Sequence, residues 1–287
     1  MSLKFALFVA LGLFGTGFVF IWVKDHFKGR EFSRLKMPTL TEAAIGFVTD
    51  FFDTLGIGSY ATTTALFKIA RIVPDENIPG TLNVGHTIPT FLEALIFIAI
   101  VSVQGMTLVL MIAASVIGAW LGSGIVASLP RRKIQIGMGI ALFFAAGIFL
   151  ASNLGLFPAG GTSEGLGGTR LFLAVFGNFI LGALMTLGIG LYAPCMILVS
   201  LLGMNPKAAF PIMMGSCAFL MPVAAARFIK EGKYAPSPAL GLTLGGTPAV
   251  LIAAYLVKSL PLNTLRWLVI AVVLYTALAM LRSAQRD

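Results

Sequence analysis

Two aspartates, Asp50 and Asp53, stand three residues apart just before a Gly56-Ile57-Gly58 signal, in the middle of an apolar stretch. At that spacing both carboxyls share one helix face. A charged side chain at membrane depth costs about 2.5 to 3.5 kcal/mol on insertion scales, so the pair reads as an ion-coupling group that shares a proton or, with backbone carbonyls, holds Na+. The plainer reading, in which Asp53 caps or braces the glycine turn, stands beside it. Asn83, His86 and Glu93 follow on the next predicted helix, Asn83 and His86 again on one face. His86 suits proton sensing or an anion contact, and equally a polar contact between helices. Beyond the glycines come Ser59, Thr62, Thr63 and Thr64, hydroxyls that can donate to an oxyanion or simply cap a helix.

The elements that must position these groups belong to a bilayer. Of 287 residues, 58% are hydrophobic and 11% charged, with a mean hydropathy of +0.96. A soluble domain carries roughly 25% charged residues, whereas apolar runs of about 20 residues, recurring along this chain, match the hydrocarbon core. The net charge of +9 comes from scattered residues between apolar runs, which fits positive charge held on the cytoplasmic side and argues against nucleic-acid binding. Cys195 and Cys217 lie inside apolar segments without metal-ligand spacing, so they read as packing residues, and no metal or cofactor is expected. Leu3 to Val23 is long for a signal sequence. Lys24, Lys28, Arg30, Arg34 and Lys36 follow it, as behind a retained anchor.

The chain repeats itself. Thr54-Leu-Gly-Ile-Gly-Ser-Tyr-Ala61 recurs as Thr186-Leu-Gly-Ile-Gly-Leu-Tyr-Ala193, seven of eight positions matching at an offset of 132. Ser128-Leu-Pro130 recurs as Ser259-Leu-Pro261 at 131, and Gly85 pairs with Gly215 at 130. This divides the chain into a leading helix and basic linker (1–37), a first repeat (41–153), an external loop (154–170) and a second repeat (171–283). Each Gly-Ile-Gly falls within about 30 apolar residues, Thr41 to Ala70 and Leu171 to Leu202, too many for one straight span. Two glycines permit a tight turn, so each stretch is predicted to be a re-entrant hairpin of two half-helices. Crossings are then predicted at Ile78–Val101, Met106–Leu129, Ile134–Leu150, Ala208–Ala226, Leu240–Val257 and Leu265–Leu281. With the basic tract from Lys24 to Lys36 inside, Lys68, Arg71, Arg131 to Lys133, Arg227, Lys230, Lys233, Arg282 and Arg286 also fall inside. Glu164 is the one charge of the external 153–169 loop, and Lys258 and Arg266 are misfits at an outer turn. The expected fold is all-α integral membrane, with seven crossings, N-out and C-in. Its two inverted repeats each comprise a hairpin and three transmembrane helices, although drawing each hairpin as two full spans would make the repeats parallel.

Inverted repeats with discontinuous helices are a transporter architecture. The second half-helix of each hairpin is predicted to begin near Tyr60 and Tyr192, directing free N–H groups and a positive helix end into the interior, where an anion can bind without a basic side chain. The candidate substrate-binding residues are Gly56, Ile57, Gly58, Ser59, Tyr60, Thr62, Thr63, Asn83, Gly188, Ile189, Gly190 and Tyr192. The candidate ion-coupling residues are Asp50, Asp53, His86 and Glu93; Gly182 and Met185 stand at the positions of the two aspartates in the second half.

The paired glycine turns after apolar half-helices, the first reading Phe51-Phe-Asp-Thr-Leu-Gly-Ile-Gly58, resemble the TauE/SafE sulfite-exporter family, also called the toluene-sulfonate uptake permeases. The likeness spans most of residues 40 to 283. Ser59 and Leu191 stand where that family usually has a further glycine. The resemblance implies movement, usually outward, of sulfite or a small organosulfonate across the cell's cytoplasmic membrane. H+ or Na+ coupling is the expectation. A passive anion channel is the alternative, followed by a membrane-embedded enzyme or assembly subunit. Two histidines, no phosphate-cradling loop and no nucleophile with a base nearby in sequence argue against catalysis.

Overall fold

The computed structural model describes residues 3–26, 37–156, 160–256 and 262–286. Lys28, Arg30, Arg34 and Lys36, the Ser259-Leu-Pro261 copy and Lys258 lie outside the described residues, as does the Arg266 side chain. The described chain is all helix but for turns and an isolated bridge between Ser163 and Met204. In order it runs α1 (Leu3–His26), α2 (Leu40–Thr54), α3 (Ser59–Ala70), α4 (Ile78–Gly85), α5 (Thr87–Ile100), α6 (Gly105–Ser128), α7 (Arg131–Asn153), α8 (Gly168–Met185), α9 (Tyr192–Leu201), α10 (Ala209–Lys230), α11 (Pro236–Leu256) and α12 (Leu262–Arg286). Short 3-10 turns, Asp75–Asn77 and Pro206–Ala208, lead into α4 and α10.

Six helical spans among the described residues, those of α1, α6, α7, α8, α10 and α11, are long and apolar enough to cross a membrane, and counting the pair α4–α5, bent by 41°, as one span gives up to seven. This set differs from the predicted one in two members: α8, expected to be a half-helix of the second hairpin, has the length and apolarity of a full span, and α12, expected to cross, is not in it. The chain is a multi-pass membrane protein by this measure. The sequence predicted one helix over Ile78–Val101; the bend within it has a local cause. Pro89 has no N–H to return to the Gly85 carbonyl, which leaves that carbonyl free and the helix open at His86. The Thr243 hydroxyl of α11 donates to Gly85 O at 2.7 Å in its place.

The long helices meet along small residues, as close packing between apolar helices requires. On α6, Gly118 and Gly122 abut the α8 backbone at Phe179 and Ala183; on α11, Gly241 and Gly245 abut α2 around Glu42 and Ala43. Helix α10, buried along nearly its whole length, packs on α6, α5, α4 and α1. Helices α7 and α12 pack on each other at the side of the bundle that α3 also reaches.

Side-chain bonds sort the helix termini into two ends of the bundle. At one end Tyr234 donates to Asp25 at 2.7 Å, Ser237 to Glu42 at 3.1 Å, and Lys68 to Asp75 at 2.5 Å and to Ser283 at 3.1 Å. Arg131 pairs with Glu76 there at 3.5 Å. At the other end Lys4 donates to Ala99 O at 3.1 Å, Ser102 to Glu164 at 2.7 Å and Asn205 N–H to Ser163 O at 2.8 Å. Helix α2 starts and α3 finishes at the first end, whereas α8 starts and α9 finishes at the second.

Candidate functional site

The two glycine turns fold alike because their sequences are alike. Gly56 (φ 83°) donates to Asp53 O at 2.7 Å and Ile57 to Phe52 O at 3.1 Å. Gly188 (φ 102°) donates to Met185 O at 3.0 Å and Ile189 to Leu184 O at 3.4 Å. Both first glycines occupy the left-handed region that glycine alone enters freely. The copies then diverge. In the first, the Asp53 carboxylate accepts Ser59 N–H at 2.7 Å and the Ser59 hydroxyl at 3.0 Å, so α3 begins at Ser59 with Gly58 held at φ 91°. In the second, Met185 and Leu191 occupy these positions and offer no such bond, and α9 starts one position later, at Tyr192, with no side-chain cap.

The tips are joined. Tyr192 of α9 donates its hydroxyl to Glu93 Oε2 at 2.5 Å, and Thr54, the last residue of α2, donates to Glu93 Oε1 at 2.8 Å. Glu93, fully buried on α5, thus ties the turn of one hairpin to the tip of the other. Gly190 faces Tyr60, whose Cβ would lie 3.8 Å from a methyl placed there. Gly56 packs under Phe210 and Met196, and Gly188 under Met138.

A second chain of buried groups runs beside the first. Asp50 Oδ1 lies 2.7 Å from His86 Nδ1, and His86 Nε2 lies 3.0 Å from Thr63 Oγ1. With Asp50 ionised, Nδ1–H donates to it, and in a neutral ring Nε2 then accepts the Thr63 hydroxyl. This links α2, the bend at His86 and α3. Asp50 Oδ2 has no hydrogen-bond partner among the described residues and rests against Gly246 of α11, where any Cβ would collide with it. Three carboxyls and one imidazole are therefore enclosed together, and no lysine or arginine among the described residues is bonded to them. No three His, Cys, Asp or Glu side chains among the described residues are grouped as a metal ion would require.

Compared with protein-family models, curated proteins and solved structures, the chain matches none. Its chemistry must be read from its own groups.

Between the tips lies a narrow cavity lined by Ile57, Gly58 and Ala61 from the first hairpin, Ile189, Gly190, Tyr192, Ala193 and Pro194 from the second, and Phe144, Ala145, Ile148 and Phe149 of α7. Its ≈ 20 Å³ admits about one water. Of the residues singled out from sequence, Gly56, Ile57, Gly58, Tyr60, Gly188, Ile189, Gly190 and Tyr192 form the two tips. Ser59 is engaged by Asp53, so the brace role holds for that aspartate. Thr62 returns its hydroxyl to Ser59 O at 2.8 Å, as a helix-internal bond. Thr63 reaches His86 instead of the tip cavity. Asn83 bonds Pro79 O of its own helix at 2.9 Å and stands apart from the tips in its bonding. Asp50, Asp53, His86 and Glu93 do come together, from three segments. Sequence reading missed Thr54, Gly246 and Thr243, and also Asn178, which donates to Met111 O at 2.7 Å and Ser216 at 2.9 Å. Only Asn178 carried a signal, as a lone amide inside an apolar run.

Proposed function

We propose that this chain is a secondary carrier of a small sulfur oxyanion, sulfite or a short organosulfonate, exporting it across the cytoplasmic membrane with proton coupling. Its site lies between the tips of two re-entrant hairpins. The observation that carries the reading is the Tyr192–Glu93–Thr54 link. Two glycine turns whose hairpins start and finish at opposite ends of the bundle meet at one buried carboxyl. That arrangement is what two inverted repeats behind a leading helix require. Paired contacts support the same relationship. Asp50 sits on Gly246, while Gly182, at the position of Asp50 in the second half, sits on the backbone of Ser115, at the position of Gly246 in the first. Likewise Gly46 abuts Leu242 O, while Asn178 bonds Met111 O at the corresponding positions. Lys68, Arg71 and Arg131 share one charged end with Ser283 of α12, in keeping with seven crossings, N-out and C-in.

The two tips take different roles in this mechanism. The start of α3 already holds an internal carboxylate, Asp53, whereas the start of α9, where Tyr192 and Ala193 line the cavity, has no side-chain cap. A positive helix end of that kind favours an oxyanion. The tip cavity is too small for sulfite, so the closed arrangement is an occluded state and the tips part to load the anion. An oxyanion brought beside Asp53 and Glu93 meets like charge unless protons accompany it, and this ties anion movement to proton movement. The choice of a sulfur anion rests on the family resemblance of the paired glycine turns.

Purified protein in liposomes, given sulfite and short sulfonates under imposed proton or sodium gradients, tests the proposal. Proton-gradient-driven uptake that distinguishes sulfite from chloride supports it. Flux that only follows the anion's own gradient makes the protein a passive pathway, and absence of flux for every oxyanion overturns the carrier reading.

A further inference from the structure

Helix α1 meets the rest of the bundle through α10 and α5, and a groove of ≈ 700 Å³ runs between α1, α6 and α10. Phe14, Ile21, Trp120 and Leu121 form its walls and remain substantially exposed. Its floor is opened by Gly17 and Gly124, where a Cβ would meet nothing within 4 Å. All three helices run in the same direction here, toward the charged end of the bundle. The α10 lining from Pro222 to Lys230 spans about 12 Å at a helical rise of 1.5 Å per residue. That approaches the depth of hydrocarbon in one leaflet, about 15 Å of a core about 30 Å thick.

The groove changes character at its end. There Arg227 and Lys230 complete the lining. Arg227 pairs with Glu231 at 3.3 Å, the residue that caps the end of α10, while Lys230 is exposed and has no acidic partner among the described residues. An apolar channel one leaflet deep that terminates in cationic side chains at the interface is complementary to one class of molecule. A second groove of ≈ 700 Å³ on the other side of α1, lined by Phe8, Gly12, Thr16, Phe20, Phe91 and Leu95 among others, has no charged residue in its lining and lacks this discrimination.

We infer that the α1–α6–α10 groove is a binding site for an anionic phospholipid of the inner leaflet, its acyl chain lying over Gly17 and Gly124 and its phosphate held by Lys230 and Arg227. The lipid completes the packing of α1 against the two-halved core. This site is separate from the tip cavity, so it stands or falls independently of what the protein carries.

Full-length protein stripped of lipid in detergent is the material for the test. Its thermal unfolding, and the lipid it retains in native mass spectrometry, are followed with added phosphatidylglycerol, phosphatidylcholine, or glycerol phosphate lacking acyl chains. The expected result is a several-fold preference in retention, and a larger rise in Tm, for phosphatidylglycerol over phosphatidylcholine, with no rise from glycerol phosphate. The double substitution Arg227→Gln with Lys230→Gln abolishes the preference. Gly124→Leu, which fills open space, removes retention of both lipids. Equal retention of the two lipids by the unaltered protein, a preference that survives the charge substitutions, or stabilisation by glycerol phosphate alone would each overturn the inference.

Discussion

Asp50 is seated on Gly246: the carboxyl of α2 occupies the space in which any side chain on that α11 residue would have to stand. The close approach of two helices and the enclosure of an acid are thus one packing event. Gly246→Ala must push Asp50 off His86 or separate α2 from α11, and overpacking of this kind costs about 1 to 3 kcal/mol. A lowered unfolding temperature is expected for Gly246→Ala. Combining it with Asp50→Gly, which recreates the small pairing seen at Gly182 and Ser115, recovers most of the loss. An unfolding temperature for Gly246→Ala equal to that of the parent would show that the contact does not constrain the helices.

The bend at His86 makes a similar claim about a carbonyl. Thr243→Val removes the donor to Gly85 O, and Pro89 prevents the backbone from replacing it. Leaving a buried acceptor unsatisfied costs about 1 to 3 kcal/mol. The loss is expected to shrink when Pro89→Ala is added, since an alanine at that position can return an N–H to Gly85. Thermal unfolding of the two single variants and the double variant checks this. Additive effects would mean that the hydroxyl and the proline act separately.

These contacts mark the limit of what the sequence discloses. Hydropathy located most of the spans, because the bilayer imposes length and apolarity on a crossing element; it did not separate α8, as long and apolar as a full span, from the half-helix expected there. The repeated Thr-Leu-Gly-Ile-Gly located both turns to within a residue, because a glycine-enabled turn is a local property. The start of α9 at Tyr192 and the end of α3 at Ala70 were likewise legible. What the sequence could not disclose was pairing across long separations. Nothing local to Gly246 announces an aspartate nearly two hundred residues away, and nothing local to Thr243 announces a vacant carbonyl on another helix. Thr63 shares a run of three threonines, and only the fold distinguishes the one that meets His86. The bend itself was the readable omission, since Pro89 four residues after Gly85 carries its signal in plain view.

The two aspartates, alike in sequence, separate in their consequences. Asp53 accepts two bonds from Ser59 at the start of α3, and Asp53→Ala is expected to destabilise by about 0.5 to 2 kcal/mol, as loss of a capping group does. Asp50 accepts from His86 and leaves one oxygen unpaired, so Asp50→Asn preserves shape and removes the charge that faces the imidazole. The expected result is a near-normal unfolding temperature with gradient-driven anion flux slowed at least tenfold. Measuring stability and liposome flux on the same preparations separates the roles. Unchanged gradient-driven flux in Asp50→Asn would remove it from the coupling group.

The bond between the tips can be tested without any transport assay. Tyr192→Phe deletes the hydroxyl that reaches Glu93 Oε2, leaving a buried carboxyl oxygen with one donor fewer, a change of about 1 to 3 kcal/mol. Glu93→Gln keeps the volume and turns one acceptor into a donor, which disturbs both the Tyr192 and the Thr54 bonds. If the two tips are held together through this carboxyl, the double variant loses less stability than the sum of the single losses, because each substitution has already broken the shared bond. The coupling should appear in a double-mutant cycle followed by thermal unfolding. Cross-linking of cysteines placed at Ala61 and Ala193, both of which line the tip cavity, should fall in either single variant as the tips drift apart. Strict additivity, together with undiminished cross-linking, would mean that the tips are held by their apolar contacts alone. The proposed site would then lack the polar hinge from which its coupling is drawn.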